Sequence, residues 1–430
     1  MPTALELDAP RCLYPLTATT PAAAPELLED VRTEVVIVGG GYTGLSTALH
    51  LAERGRAVVL LESREPGFGA AGRNGGQINA GLKYEPEVAE RALGPVFGPR
   101  LVALALQAPQ FLFALVRRLG IECELDQGGT LRAGYARSHL DALRASAAQW
   151  RRRGVPIELW GPDEVAAATG TRRYLGATFN PLGGSLNPLS LARGLARAAR
   201  GAGARLHASS RVVALERDGA GWRARTAHAT VRAERVLIAT DGYTDRLWPR
   251  LAQSAVPIYS AIVATSPLPA DLAAAILPRR PVVYETGHIT AYYRRDAAGR
   301  LLMGGRGLQR KATDRQDYRH LMSYAQKLWP ALAQIEWTHW WNGQFAVTAD
   351  FYPRFHHPSS GLYILQGYSG RGLALSTAMG AELAAVLAGA AAQSFPLPVT
   401  PIRKMRLHRF WRLGVYARVA HGRLLDRLGR

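Results

Sequence analysis

Cysteine is scarce in this chain. Its two copies, Cys12 and Cys123, sit at no metal-ligand or redox spacing, which excludes a disulfide scaffold and fits a reducing compartment. Lysine is nearly absent as well, and the basic residues are almost all Arg. Acids are short too: 33 Asp and Glu stand against 53 Lys and Arg, a formal net charge of +20. That excess suits nucleic acid, an anionic membrane surface or acidic substrates. No nucleic-acid motif accompanies it, so nucleic acid is not expected as a partner. A solvated, Arg-biased surface is preferred everywhere except at the C-terminus. No uninterrupted apolar run of about 18 residues is present, so no spanning helix is expected; the nearest run, 383–392, is Ala-rich and short. The first residues lack a basic segment followed by an apolar run, so no secretory signal is expected and the location is read as cytoplasmic. No metal site and no Ser-His-Asp or paired-carboxylate arrangement stands out.

What is present begins at Glu34. Val35–Val38 is an unbroken β-branched run, as in a parallel strand covered on both faces. It runs into Gly39-Gly40-Gly41-Tyr42-Thr43-Gly44, which fits G-x-G-x-x-G. In that pattern Gly39 makes a tight turn, Gly41 lets the backbone approach a pyrophosphate, and Gly44 lets the following helix pack against the strand. The helix is expected from Tyr42 to Arg54, and its N-terminus offers N–H groups to phosphate. A second strand, Ala57–Leu61, ends on Glu62, placed for a ribose hydroxyl.

At 430 residues and 48% hydrophobic composition, two interleaved domains are expected. Residues 1–32, rich in Pro and Ala, read as an arm over the surface. A glycine-rich polar loop follows Glu62-Ser63 and holds Arg73, Asn74, Gly75, Gly76 and Gln77; its small residues suit a flat ligand. The pattern is helical over 87–119, with Pro109 predicting a kink. Short strands are expected at 124–126 and 130–133, helices at 140–152 and 188–200, parallel-sheet strands at 205–207 and 212–215, and a hairpin at 222–233. A buried strand then ends on Ala239-Thr240-Asp241-Gly242. Residues 255–350 read as successive antiparallel strands, a second domain inserted before the first is complete. The Trp337, Trp340 and Trp341 cluster reads as core. Strand 361–367, the turn Tyr368–Leu373 and a small-residue helix complete the first domain.

These segments, in this order, resemble the FAD-dependent amine and amino-acid oxidoreductases that include D-amino-acid oxidase, glycine oxidase and sarcosine oxidase. Within them, the gamma-glutamylputrescine oxidoreductase branch is most similar. The resemblance covers about residues 30–395. It implies an α/β fold: a Rossmann-type (GR2-like) FAD domain with an inserted, mainly antiparallel β-sheet substrate domain. The expected division is 33–90, 180–250 and 355–395 for FAD and 91–179 with 251–354 for substrate, with a tail at 396–430. By the same resemblance Gly39, Gly41, Tyr42, Thr43 and Gly44 hold the pyrophosphate, and Glu62 and Ser63 the adenosine ribose. Val212 meets the adenine, Ala239 and Thr240 border the cofactor, and Arg73–Gln77 lies beside the flavin ring. Gly370, Arg371, Gly372 and Leu373 face its pyrimidine end, where positive charge stabilises reduced flavin. His is common where Arg371 stands, and Ser where Ala71 stands. No His or Cys lies in a motif for covalent attachment, so non-covalent FAD is expected.

The implied reaction moves hydride from a carbon beside an amine nitrogen to flavin N5. Hydrolysis of the resulting imine follows, with O₂ or another acceptor taking the electrons. Tyr259, Tyr284, Tyr292 and Arg306 of the inserted sheet are candidates for the substrate pocket, with Arg306 for a carboxylate; each is equally readable as sheet packing. Three alternatives stay open: a dehydrogenase serving a quinone or carrier, a flavin-binding protein without turnover, and a pyridine-nucleotide flavoprotein. The last lacks a second glycine fingerprint. From 401 to 430 bases alternate with apolar residues, a pattern shared by an interfacial membrane helix and by a helix packed on the protein's own surface. Gly414 and Gly422 predict two short helices there.

Overall fold

The structure is a computed structural model that describes residue 9 and residues 11–427. In chain order the elements are β1 (Val31–Val38), α1 (Tyr42–Ala52), β2 (Val58–Leu61), β3 (Gln77–Ile78), α2 (Pro86–Arg118), β4 (Thr130–Gly134), α3 (Arg137–Arg151), β5 (Glu158–Trp160), α4 (Pro162–Thr169), β6 (Gly176–Asn180) and β7 (Gly184–Ser185). Then come α5 (Pro188–Gly201), β8 (Arg205–His207), β9 (Ala214–Asp218), β10 (Gly221–Arg225), β11 (Thr230–Ile238), β12 (Val256–Pro267), β13 (Val282–Glu285), β14 (Tyr292–Arg295) and β15 (Arg300–Arg306). The chain ends with α6 (Arg319–Leu328), β16 (Trp337–Val347), β17 (Arg354–Ser359), β18 (Leu362–Gln366), α7 (Gly372–Leu387) and α8 (Trp411–Arg427).

Two sheets carry the architecture. The first has the order β17-β18-β11-β1-β2-β8, with β10 and β9 added beside β11. Its central strands are parallel: Val35–Val38 pairs with both Val58–Leu61 and Arg235–Ile238. The β-branched run of β1 is fully enclosed because α1, α5 and α7 cover one face while Leu27, Trp222 and Leu251 pack on the other. The second sheet has the order β16-β12-β15-β14-β13-β4-β6-β5. It is antiparallel except where β13 runs parallel to β4. Its outer face buries α6, Tyr293, Trp329 and Trp337.

Several local expectations are corrected. The break in α2 lies at Gly94 (φ 76°), not at Pro109, which sits in continuous helix. Gly reaches that conformation without steric cost. Despite its charged interruptions, α2 is long and apolar enough by composition to cross a membrane, with 56% of its most apolar window buried inside the protein. The buried face of α2 joins the core formed with α1 and α7. The segment 124–126 is a single bridge, Asp126 to Ser185, rather than a strand. The strand expected at 212–215 begins at Ala214 and pairs antiparallel with β10. The second hairpin strand and the buried strand before Ala239 are one element, β11. The arm does not simply cover the surface: Cys12, Leu13 and Tyr14 are buried with Trp341. The tail forms one helix, α8, through both Gly414 and Gly422. Residues 428–430 of the expected tail, and residues 1–8 and 10 of the arm, lie outside the described residues.

Candidate active site

A cavity of about 580 Å³ lies between the two sheets, at the carboxyl ends of β1, β11 and β18. This is the place where open parallel sheets bind ligands. Its floor is the turn after β1. Gly39 has φ 112°, and a Cβ there would stand 2.7 Å from Ala239 O. A Cβ on Gly44 would stand 2.0 Å from Gly39 O, so any side chain would force α1 off the strand. A Cβ on Gly41 would meet nothing within 4 Å, because that position opens onto the cavity. Glu62 closes the turn: its carboxylate accepts N–H from Gly40 (2.7 Å) and Arg64 (2.9 Å) and O–H from Ser63 (3.0 Å). Burial pushes its carboxyl above the usual glutamate value even against those bonds. Ser63, Val212, Ala239 and Thr240 stand along the same end of the cavity.

The glycine loop forms one side, and it is bolted in place. The Asn74 side chain donates to Ala70 O (3.0 Å) and Ala71 O (2.9 Å) and accepts from Gly76 N (2.8 Å), so its amide serves the loop's own shape. Arg294 reaches across from β14 to donate to Gly75 O (2.7 Å) and Leu186 O (3.1 Å). Trp341 Nε1 donates to Arg73 O (3.0 Å), and Tyr14 OH to Asn74 O (2.9 Å). The Arg73 guanidinium lies 4.5 Å over the Phe68 ring. Gly76 lies outside the wall and serves the loop: at φ 67°, its Cβ would stand 2.2 Å from Leu186 O. Arg73, Asn74, Gly75 and Gln77 face the cavity.

The opposite end is the turn between β18 and α7. Asp241 ties it to the rest, accepting N–H from Ala346 (3.0 Å) and Gly367 (2.8 Å). That carboxylate joins the ends of β11, β16 and β18. Sequence reasoning missed it as a site residue, because its partners Ala346 and Gly367 lie far along the chain. Tyr368 OH and Thr43 Oγ1 are 2.6 Å apart, linking this turn to the first helix. Arg371 precedes the N-terminus of α7, with its guanidinium 4.8 Å over Tyr284 and its Nη1 buried without a partner among the described residues. Gly370, Gly372 and Leu373 line the cavity beside it.

The remaining wall comes from the second sheet, and strand pairing decides which candidates face it. Ser260 lines the cavity and pairs with Arg306; Tyr292 pairs with Gly304, and Tyr284 with both Tyr292 and Arg132. Directly opposed residues share a face, so Arg132, Tyr284, Tyr292, Arg306 and Ser260 form one surface. Only Tyr292 and Ser260 among them reach the cavity wall, while Arg306 and Tyr284 stand beyond it. Tyr259, one residue out of phase, points to the other face and is not brought to the site. Tyr292 OH lies 3.0 Å from Ser260 Oγ, and its ring is gripped by Gly75 and Gly304, where a Cβ would come within 2.8 and 2.1 Å. Burial raises its phenol above the usual value. Burial lowers Arg306, with Arg418 adding repulsion. Lys83 is exposed along its side chain, yet burial of its ammonium and the charges of Arg371, Arg306, Arg132 and Arg418 push it down to about 8. This end of the site is strongly electropositive.

A glycine-turn, dinucleotide-type fold with a deep cavity at its strand ends defines a nucleotide-cofactor enzyme. Residues 34–386 match the family described as FAD dependent oxidoreductase (DAO), and the chain belongs to that family. It is 33% identical over 379 residues to gamma-glutamylputrescine oxidoreductase of Escherichia coli (strain K12), covering 87% of this chain and 88% of that one. It is 32% identical over 364 residues to the probable oxidoreductase OrdL of Rhizobium meliloti (strain 1021), covering 82% and 83%. Among solved structures, glycine oxidase from Geobacillus kaustophilus superposes with a TM-score of 0.74 at 26% identity, over 87% of this chain and 99% of that one. The chain is thus an FAD-dependent oxidoreductase, as its sequence motifs led one to expect. The cavity fits that cofactor on three observations: open space at Gly41, an acid fixed at the end of β2, and the buried, unpartnered Arg371 Nη1 at the far end.

Proposed function

We propose that this protein oxidises a primary or secondary amine, or an amino acid, that carries a carboxylate away from the reacting nitrogen. Gamma-glutamylputrescine-like amines are the first candidates, supported by the likeness to the Escherichia coli enzyme of that name. The observation that carries the reading is one sheet face that brings Tyr292 and Ser260 to the cavity wall and continues beyond it through Tyr284, Arg132 and Arg306, beside Arg371. Bound FAD supplies the hydride acceptor, and O₂ is the proposed final oxidant, giving hydrogen peroxide.

The chain's own residues bind and orient. Gly39, Gly41, Tyr42, Thr43 and the α1 N-terminus are placed for the pyrophosphate, with Glu62 and Ser63 for the adenosine ribose and Val212 for the adenine. Gly370, Arg371, Gly372 and Leu373 present positive charge and N–H dipoles to the opposite end. No His or Cys stands among the described residues of the cavity wall, which favours non-covalent attachment. Arg306 anchors the substrate carboxylate, and the Tyr292 and Ser260 hydroxyls position its polar atoms. Tyr292, with its phenol raised by burial, stays protonated and acts as a donor. The cations around the chamber disfavour a substrate ammonium and so favour the free amine from which hydride can leave. Incubating the FAD-loaded protein in air with glutamylated polyamines, N-methyl glycines and free amino acids should release carbonyl product and peroxide in equal amounts. Product without peroxide would replace O₂ with another acceptor.

A further inference from the structure

We infer that α8 is an interfacial helix that lays the protein on an anionic lipid surface. The helix has two apolar sides. One is spent on the protein itself. Trp411, Val415, Val419 and Leu425 are half-buried, and a Cβ on buried Gly422 would stand 2.9 Å from His288 Cβ. Asp426 accepts N–H from His288 (2.9 Å) and Ile289 (3.0 Å), which fixes the helix's rotation about its axis.

The other side faces water. Phe410, Leu413, Ala417, Ala420 and Leu424 recur at three- and four-residue spacing and are all exposed, Leu413 by 67% and Leu424 by 55%. They form one stripe along the helix. A helix whose second face were only solvated would carry polar residues there. Arg409, Arg412 and Arg423 run along one edge of the stripe, also exposed. The only acid from 401 to 427 is Asp426, and it is turned inward. An apolar stripe edged by cations and free of acids complements anionic headgroups over an acyl boundary. Nucleic acid would use the arginines and leave the leucines unexplained. Two further contacts hold the inner side: Tyr416 OH accepts Gln309 N–H (3.1 Å) and Arg418 lies 5.4 Å over Phe351. Its outer stripe is independent of the reaction proposed above.

The test is flotation of the FAD-loaded full chain with vesicles of phosphatidylcholine alone and of phosphatidylcholine with phosphatidylglycerol. The chain should float with the anionic vesicles and stay down with the neutral ones. Leu413→Glu/Leu424→Glu, and separately Arg409→Gln/Arg412→Gln/Arg423→Gln, should each lower flotation by about tenfold or more while the flavin absorbance, the sign of an intact fold, is unchanged. Wild-type protein that stays down with both vesicle types overturns the inference, whether or not it pairs with its own copy. Equal flotation with neutral vesicles overturns it too, as does either variant floating like the wild type.

Discussion

The guanidinium of Arg371 lies 4.8 Å over the ring of Tyr284 and leaves its Nη1 buried without a hydrogen-bond partner among the described residues. This contact joins the glycine turn of the first sheet to the face of the second sheet that carries Tyr292 and Arg306. A half-buried cation with one nitrogen enclosed in this way stabilises negative charge that develops beside it. Arg371→Met should therefore retain FAD yet slow flavin reduction by about 10²-fold. Arg371→Lys keeps the charge but not the planar fork and should fall between. Rapid-mixing measurement of the reduction rate checks this, and an unchanged rate in Arg371→Met would remove the residue from the chemistry.

Glu62 holds its turn through the N–H groups of Gly40 and Arg64. Glu62→Ala should weaken FAD binding by about 1.5–3 kcal/mol, the scale of hydrogen bonds to a charged group. Glu62→Gln retains an acceptor for the turn and should lose less. Titration of apoprotein with FAD reads both, and wild-type affinity in the Ala variant would take Glu62 out of the site.

The positive chamber makes a statement about pH. Arg371 lines the cavity, and Lys83, Arg132 and Arg306 stand beyond its wall, so an amine held there would sit in a positive field. Like charges lower the pKa of an ammonium. The limiting rate of flavin reduction at saturating substrate should rise with pH and level off at an apparent pKa below that of the free amine. Arg306→Ala removes one of these charges, so the apparent pKa should move up while KM rises only for amines that carry a carboxylate. A profile that levels at the free amine's own pKa would show that the chamber does not act on the substrate's proton.

Much of the site could be read before the structure because it is local. Val35–Val38, the glycines, Glu62 and the Tyr368–Leu373 turn each declare themselves within a dozen residues. What could not be read depends on pairing across the chain. Asp241 reaches Ala346 and Gly367, 105 and 126 residues away, and no local pattern announces such a knot. Tyr259 and Ser260 differ by one position, and a β-strand sends them to opposite faces. Only the pairing of Ser260 with Arg306 decides which side is inward. Tyr14 looked like part of a surface arm until its hydroxyl met Asn74 and its ring packed edge-on to Trp341, 5.1 Å between centroids. The break in α2 moved from Pro109 to Gly94 because proline inside a helix can be absorbed by its neighbours, whereas φ 76° cannot be helical.

The central claim is that amines reduce a flavin held in this cavity. Its most direct test is anaerobic mixing of the FAD-loaded protein with single amines while the flavin's visible absorbance is followed. A glutamylated polyamine or another amine bearing a distant carboxylate should bleach the flavin at a saturable rate. Cadaverine-like diamines without a carboxylate should do so only at much higher concentration. Bleaching by a 2-hydroxy acid or by reduced nicotinamide nucleotide, with no response to any amine, would contradict the account.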